Sequence, residues 1–146
     1  PKDRTGLSDG FRQVNPRIVL GTTLSRMGIA SAGIDISDGL ILDLYRLCNA
    51  SKCGAQIDRR NLPIDPRVHR VAEQLNEPID RYVLYGGEDY ELLFCVPPAM
   101  TEALNDVSDA TAVRLNRIGV ITDTGTVVDQ SGVQLPKRGW DPFKDL

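Results

Sequence analysis

Between residues 30 and 48 the spacing of apolar residues changes period, and that change restricts the fold more than any other feature of the chain. Ala32, Ile34 and Ile36 recur at every second position, the pattern of a strand with one buried face. Leu40, Ile41, Leu44, Leu47 and Cys48 then recur at helical spacing, with Asp43, Arg46 and Asn49 placed opposite them. A strand must therefore hand over to a helix across Ser37-Asp38-Gly39, and both must bury their apolar sides in a shared core. Asp35 and Ser37 stand two positions apart, so they share the other face at the strand's end, and Asp38 falls at the junction. Hard carboxylate oxygens, a hydroxyl and the free amides of a helix start suit Mg²⁺ and phosphate. Ordinary N-capping accounts for Ser37 or Asp38 equally well. It does not account for Asp35, because a carboxylate on an apolar strand is costly unless paired or bound to metal.

A second acidic stretch answers the first. Gly86-Gly87-Glu88-Asp89-Tyr90-Glu91 leads into the apolar run Leu92-Leu93-Phe94-Cys95-Val96. Five consecutive apolar residues read as a strand buried on both faces. Three acids at its start repel one another, which a bound cation or cationic ligand relieves; a solvated acidic turn is the plainer reading. Trp140, the only tryptophan, sits between Gly139 and Pro142. It either anchors the tail to the core or offers a flat face to a ring or a cation.

The remaining segments read as scaffold. Residues 1–13 are polar and look like a linker or frayed end. Asn15-Pro16 is expected to start a helix with Ile18, Val19, Thr22, Leu24 and Met27 on its loosely amphipathic face and Gly28 at its end. Gly54 is expected to end the helix that begins after Gly39, with a short strand over residues 55–57 to follow. Asp65-Pro66 opens another helix, with Val68, Val71, Ala72 and Leu75 as its buried stripe. Asp80 is expected to cap a short helix before Gly86, and residues 99–107 to form another. Residues 113–121 and 126–128 read as a hairpin turning at Asp123-Thr124-Gly125. Helices and strands alternate and strands then gather, which predicts an α+β fold with a mixed sheet and packed helices.

Composition narrows the function. A net charge of −3 argues against a nucleic-acid binder that works through a basic patch. The sequence has no apolar run of membrane-spanning length and no signal-peptide pattern, and the expected location is the cytoplasm. Cys48, Cys53 and Cys95 lack motif spacing and are expected to be reduced and core-filling. His69 is the single histidine, so a His-rich zinc site is excluded, and the residue reads as an exposed helix position.

Taken together, the motifs resemble the C-terminal domain of the thiamine-monophosphate kinases. The resemblance rests on Asp35-Ile36-Ser37-Asp38-Gly39-Leu40 with Asp43-Leu44 one turn on, on Ala50-Ser51, Cys53-Gly54-Ala55 and Leu62-Pro63, and above all on the run from Gly86 to Phe94. It covers about residues 14–143. It implies a domain like the C-terminal domain of aminoimidazole ribonucleotide synthetase, spanning residues 14–146, in an enzyme that moves the γ-phosphoryl of ATP onto thiamine monophosphate. It implies further that Asp35 and Asp38 are Mg²⁺ ligands, that Ser37 contacts an ATP phosphate, and that Glu88 and Trp140 contact the thiamine substrate. An N-terminal domain supplying most of the ATP site, and a homodimer, are the implied partners. The chain opens at Pro1, as expected of a processed product or an excised domain, and alone it is expected to be inactive. A related ATP-using synthetase, a non-catalytic metal- or ligand-binding domain, and a cyclic-dinucleotide synthase with a similar Gly-Gly turn are the alternatives; the last leaves the Asp35–Leu40 stretch unexplained.

Overall fold

The computed structural model describes residues 14–140; the expected linker over residues 1–13 and the Asp141-Pro142-Phe143 tail lie outside the described residues. The period change falls where the backbone changes. Helix α1 (Ile18–Arg26) leads to strand β1 (Ala32–Ile36), which hands over to helix α2 (Leu40–Ser51). Strand β2 (Gly54–Ile57), helix α3 (Pro66–Leu75), the single turn α4 (Asp80–Val83) and strand β3 (Glu91–Cys95) follow. Helix α5 (Leu104–Thr111) and strands β4 (Gly119–Thr122) and β5 (Val127–Asp129) complete the order. None of the described helices is long and apolar enough to cross a membrane.

The strands form two sheets. β1 and β3 pair antiparallel, from Ala32 opposite Cys95 to Ile36 opposite Glu91. β2 is the middle strand of the other sheet, antiparallel to β4 and parallel to β5. The fold is α+β with a mixed sheet, as the sequence implies. The expected hairpin is absent, however: β4 and β5 are not partners, because β2 inserts between them, and residues 113–118 are not strand.

α2 supplies the heart of the larger core. Leu40, Ile41, Leu44, Tyr45, Leu47 and Cys48 pack with Ala55 and Ile57 of β2, Leu93 of β3, Val127 of β5 and Leu135. A smaller core joins Leu20 and Leu24 of α1 to Ile29 and Val107, with Leu92 and Phe94 packed against it. β3 thus sends Leu93 and Cys95 one way and Leu92 and Phe94 the other, which is why its apolar run has no gap. Full burial of one such side chain contributes about 1.5–3 kcal/mol.

Several boundaries depart from the sequence reading, each for a physical reason. α1 begins at Ile18 and Asn15 does not cap it; Arg17 precedes it, held by a two-pronged ion pair with Glu91 at 2.8 and 2.6 Å. Its buried residues are Leu20 and Leu24, while Ile18 and Val19 are 69% and 63% exposed. α2 ends one turn before Gly54. Lys52 adopts the left-handed conformation, and its amide and that of Cys53 close back on the Asn49 and Cys48 carbonyls. Gly54 belongs to β2, where a Cβ would run into the Thr126 carbonyl oxygen and stand 2.7 Å from the Thr124 hydroxyl. α3 starts as expected, with Pro66 in its first turn and the Asp65 carboxylate accepting from the Arg67 amide. Of its expected stripe only Ala72 is buried, and Leu75 is exposed. Asp80 does not cap α4; its carboxylate takes the Arg59 guanidinium at 2.7 Å instead. The helix expected over residues 99–107 forms as a 3-10 turn (Pro98–Met100) followed by α5. All three cysteines are free, and burial pushes the Cys48 thiol up to about 12, with the Cys53 thiol adding to the shift. His69 lies exposed on α3.

Candidate functional site

The site is built on the junction after β1. Asp43, in the first turn of α2, is buried, with its side chain 1% exposed. One of its oxygens accepts the Ser37 and Asp38 amides, each at 3.0 Å, and the other accepts Arg46 Nη1 at 2.5 Å. Arg46 also holds the Asp38 carboxylate through Nη2 at 2.6 Å. The sequence reading placed Asp43 on the solvent side of α2. The structure reverses that placement: Asp43 turns back over the helix start and fixes the Ser37-Asp38 backbone. An acid in the first turn after a Ser-Asp-Gly junction was the available signal, since the unpaired amides there draw an acceptor.

The same contacts revise what the junction offers an anion. The Ser37 and Asp38 amides belong to Asp43, and the Ile41 amide donates to the Leu84 carbonyl. The free amides anticipated for phosphate are thus partly taken. The Ser37 hydroxyl has no protein partner among the described residues, so it stands open to an incoming acceptor.

The second acidic stretch lies directly on the first. The Glu88 amide donates to the Ser37 carbonyl at 2.8 Å, and the Tyr90 amide to the Ile36 carbonyl at 2.8 Å. Gly87 has to be small: a Cβ would stand 2.7 Å from the Ser37 carbonyl oxygen and 3.3 Å from the Trp140 Cβ. Gly39, at φ +118°, faces the backbone of Tyr85 and Gly86 at about the same spot, where a Cβ would meet the Tyr85 oxygen at 3.1 Å. Glu88 and Tyr90 both adopt positive φ, at 69° and 50°, so the loop is held in a conformation that side chains disfavour. The tail closes the group: the Trp140 amide donates to the Asp38 carbonyl at 2.8 Å, and its ring stays half exposed. At 50% exposure Trp140 is not fully buried against the core.

Ser37, Asp38, Glu88 and Trp140, distant in sequence, are therefore joined through direct backbone contacts. Asp35 lies two residues up β1, opposite Leu92 and exposed. Its exposure removes the argument that burial alone demands a partner for it. The acidic crowding before β3 is also partly relieved within the protein, since Arg17 neutralises Glu91. Among the described residues no three His, Cys, Asp or Glu side chains stand close enough to cage a metal ion. The Asp35 carboxylate has no ion-pair partner among the described residues, whereas that of Asp38 is held by Arg46.

Sequence reasoning left Asp89 and Glu91 without a role; Glu91 pairs with Arg17. Asp89 is exposed overall, yet neighbouring protein desolvates its carboxyl, and with Glu91 nearby its pKa is raised to about 6. An acid raised in the folded state opposes folding only once ionised: the penalty is absent below the ordinary carboxylate range, near pH 4, and complete above about pH 6. Asp89→Asn is accordingly expected to raise the melting temperature at pH 8 and to leave it unchanged at pH 4. Melting curves across that range check this; a gap of equal size at both ends would assign the effect to something other than charge.

The family described as AIR synthase related protein, C-terminal domain, matches residues 10–130. Thiamine-monophosphate kinase of Escherichia coli strain K12 is 37% identical over 97% of this chain, which covers 44% of that protein. The crystal structure of thiamine-monophosphate kinase from Stenotrophomonas maltophilia K279a superposes with a TM-score of 0.73 at 31% identity, covering 83% of this chain and 37% of the other. A structure described as AaThiL complexed with AMPPCP and TMP gives 0.77 at 26% identity, covering 98% of this chain and 43% of that one. The chain spans less than half the length of the curated relatives it matches. A match that runs from before α1 to the end of β5, and so contains the whole junction and the loop laid on it, places the chain in the family of AIR synthase related proteins, as a C-terminal domain.

Proposed function

We infer that the chain is the C-terminal domain of a thiamine-monophosphate kinase, working with an N-terminal domain to move the γ-phosphoryl of ATP onto thiamine monophosphate. The observation that carries this is the convergence of Ser37-Asp38, Gly87-Glu88 and Trp140 at one surface through backbone hydrogen bonds. The relatives named thiamine-monophosphate kinase support the substrate, and AMPPCP bound to one solved relative supports ATP as co-substrate.

In phosphoryl transfer the protein contributes mainly position and charge. The Ser37 hydroxyl contacts a phosphate of ATP. Asp35 and Asp38 are the residues that would hold Mg²⁺, which when bound neutralises charge on the phosphates. Asp43 keeps Ser37 and Asp38 in place by accepting both amides. At the other end the exposed Trp140 ring meets the cationic thiazolium, and the Glu88 carboxylate accepts from the aminopyrimidine or pairs with the positive charge. The exposed Ile18 and Val19 of α1 provide apolar area for a second domain to cover. A homodimer of the complete protein and a cytoplasmic location belong to the same reading.

The test is direct. Joined to its N-terminal domain, the chain is expected to convert ATP and thiamine monophosphate into ADP and thiamine diphosphate, whereas residues 1–146 alone are expected to fold and show no turnover. Normal turnover by the chain alone would overturn the two-domain reading, and a two-domain protein that binds both compounds without forming thiamine diphosphate would overturn the reaction.

A further inference from the structure

Arg46 stands where a metal-binding site should not tolerate a cation. Its Nη2 holds Asp38 Oδ2 at 2.6 Å and its Nη1 holds Asp43 Oδ1 at 2.5 Å. Asp43 is buried and its second oxygen is committed to the Ser37 and Asp38 amides, so it cannot swing away and take Arg46 with it. The guanidinium is therefore a fixed positive charge beside the carboxylate proposed to bind Mg²⁺. Its side chain is nevertheless 45% exposed, so part of the fork remains open on the solvent side. Asp38 keeps one oxygen, Oδ1, without a protein partner among the described residues.

We propose that Arg46 makes metal binding at Asp38 conditional on phosphate. This rests on the reading of Asp38 as a Mg²⁺ ligand. A bare divalent cation approaching Asp38 meets a carboxylate already half neutralised and a fixed like charge within a few ångströms. A metal that arrives with a polyphosphate meets a different balance. The phosphate oxygens take charge-assisted hydrogen bonds from the open side of the guanidinium, and the free Asp38 oxygen remains for the metal. Arg46 thereby acts as a positioning residue: it weakens the empty carboxylate towards free cations and strengthens the site towards nucleotide, so that metal and nucleotide enter together.

The experiment uses the full-length protein with Mn²⁺ as the probe, followed by its paramagnetic resonance signal, and counts only the binding lost in Asp38→Asn. Arg46→Gln removes the charge and keeps a donor for Asp43; Arg46→Met is a second neutral variant in case the first does not fold. The neutral variant is expected to bind free Mn²⁺ about tenfold more tightly, and to bind AMPPCP in the presence of Mn²⁺ about tenfold more weakly, the size set by one unit charge near a solvated site. Arg46→Lys is expected to stay within about threefold of the wild type in both, because the charge survives. Unchanged or weaker binding of free Mn²⁺ in the neutral variant would show that Arg46 only orients Asp38, and would overturn the proposal. If Asp38→Asn removes no Mn²⁺ at all, the metal reading of Asp38 fails first, a result distinct from the failure of the proposal about Arg46.

Discussion

Asp43→Ala is expected to lower the unfolding free energy by about 2–5 kcal/mol, a large loss for a single polar residue. The carboxylate is buried and accepts three donors, two of them backbone amides. Its removal leaves those amides without an acceptor in a place water reaches poorly, at about 1–3 kcal/mol each. Arg46 loses less, since its exposed side chain recovers water. Urea denaturation measures the loss, with Asp106→Ala on the exposed face of α5 as a control expected within about 0.5 kcal/mol of the wild type. Pairing Asp43→Ala with Arg46→Met should give less than the sum of the two, because the contact is removed only once. Strict additivity would mean that the ion pair contributes nothing, and that the two amides account for the whole effect.

The second large effect falls on binding rather than on stability. Trp140→Ala in the full-length enzyme is expected to raise the KM for thiamine monophosphate about 2- to 30-fold, the range set by an aromatic contact to a cation worth about 0.5–2 kcal/mol. The KM for ATP should change much less. Trp140→Tyr should be mild, because a π-face survives. The half-exposed ring means that little packing is lost, so the melting temperature of Trp140→Ala should stay close to that of the wild type. A buried tryptophan would instead cost about 3–5 kcal/mol on truncation. A large fall in stability with both KM values unchanged would remove Trp140 from the site.

The parts of this fold that could be read from the sequence are those fixed by neighbours in the chain. The change of period at residues 36–40, the Asp65-Pro66 helix start and the unbroken apolar run of β3 are local patterns, and each appears where it was expected. The errors share an opposite origin. β2 separates β4 from β5 through pairings that span more than sixty residues, whereas a hairpin reading assumes that near strands pair. Arg17, just before α1, reaches Glu91, and Asp80 pairs with Arg59, long-range contacts that local capping patterns do not announce. Asp43 was misplaced because helical periodicity sorts residues by polarity and cannot detect a carboxylate folded back onto amides behind it. The site is legible in a similar way. The two acidic stretches and Trp140 could be named individually, but their joining depends on Gly39, Gly87 and Gly139 being small where backbones nearly touch. Only the assembled structure reveals that requirement.

The central claim is that the tail, the acidic turn and the junction form one surface that holds the thiamine end of the substrate. Trp140 is the only tryptophan of this chain, which makes its fluorescence a local probe. In the full-length protein, with any other tryptophan replaced by phenylalanine, titration with thiamine monophosphate should quench Trp140 saturably. ATP alone should leave the emission nearly unchanged, and Glu88→Ala should shift the thiamine monophosphate midpoint to higher concentration. Emission that stays constant through a titration in which thiamine diphosphate is nevertheless formed would place the substrate elsewhere and contradict the account.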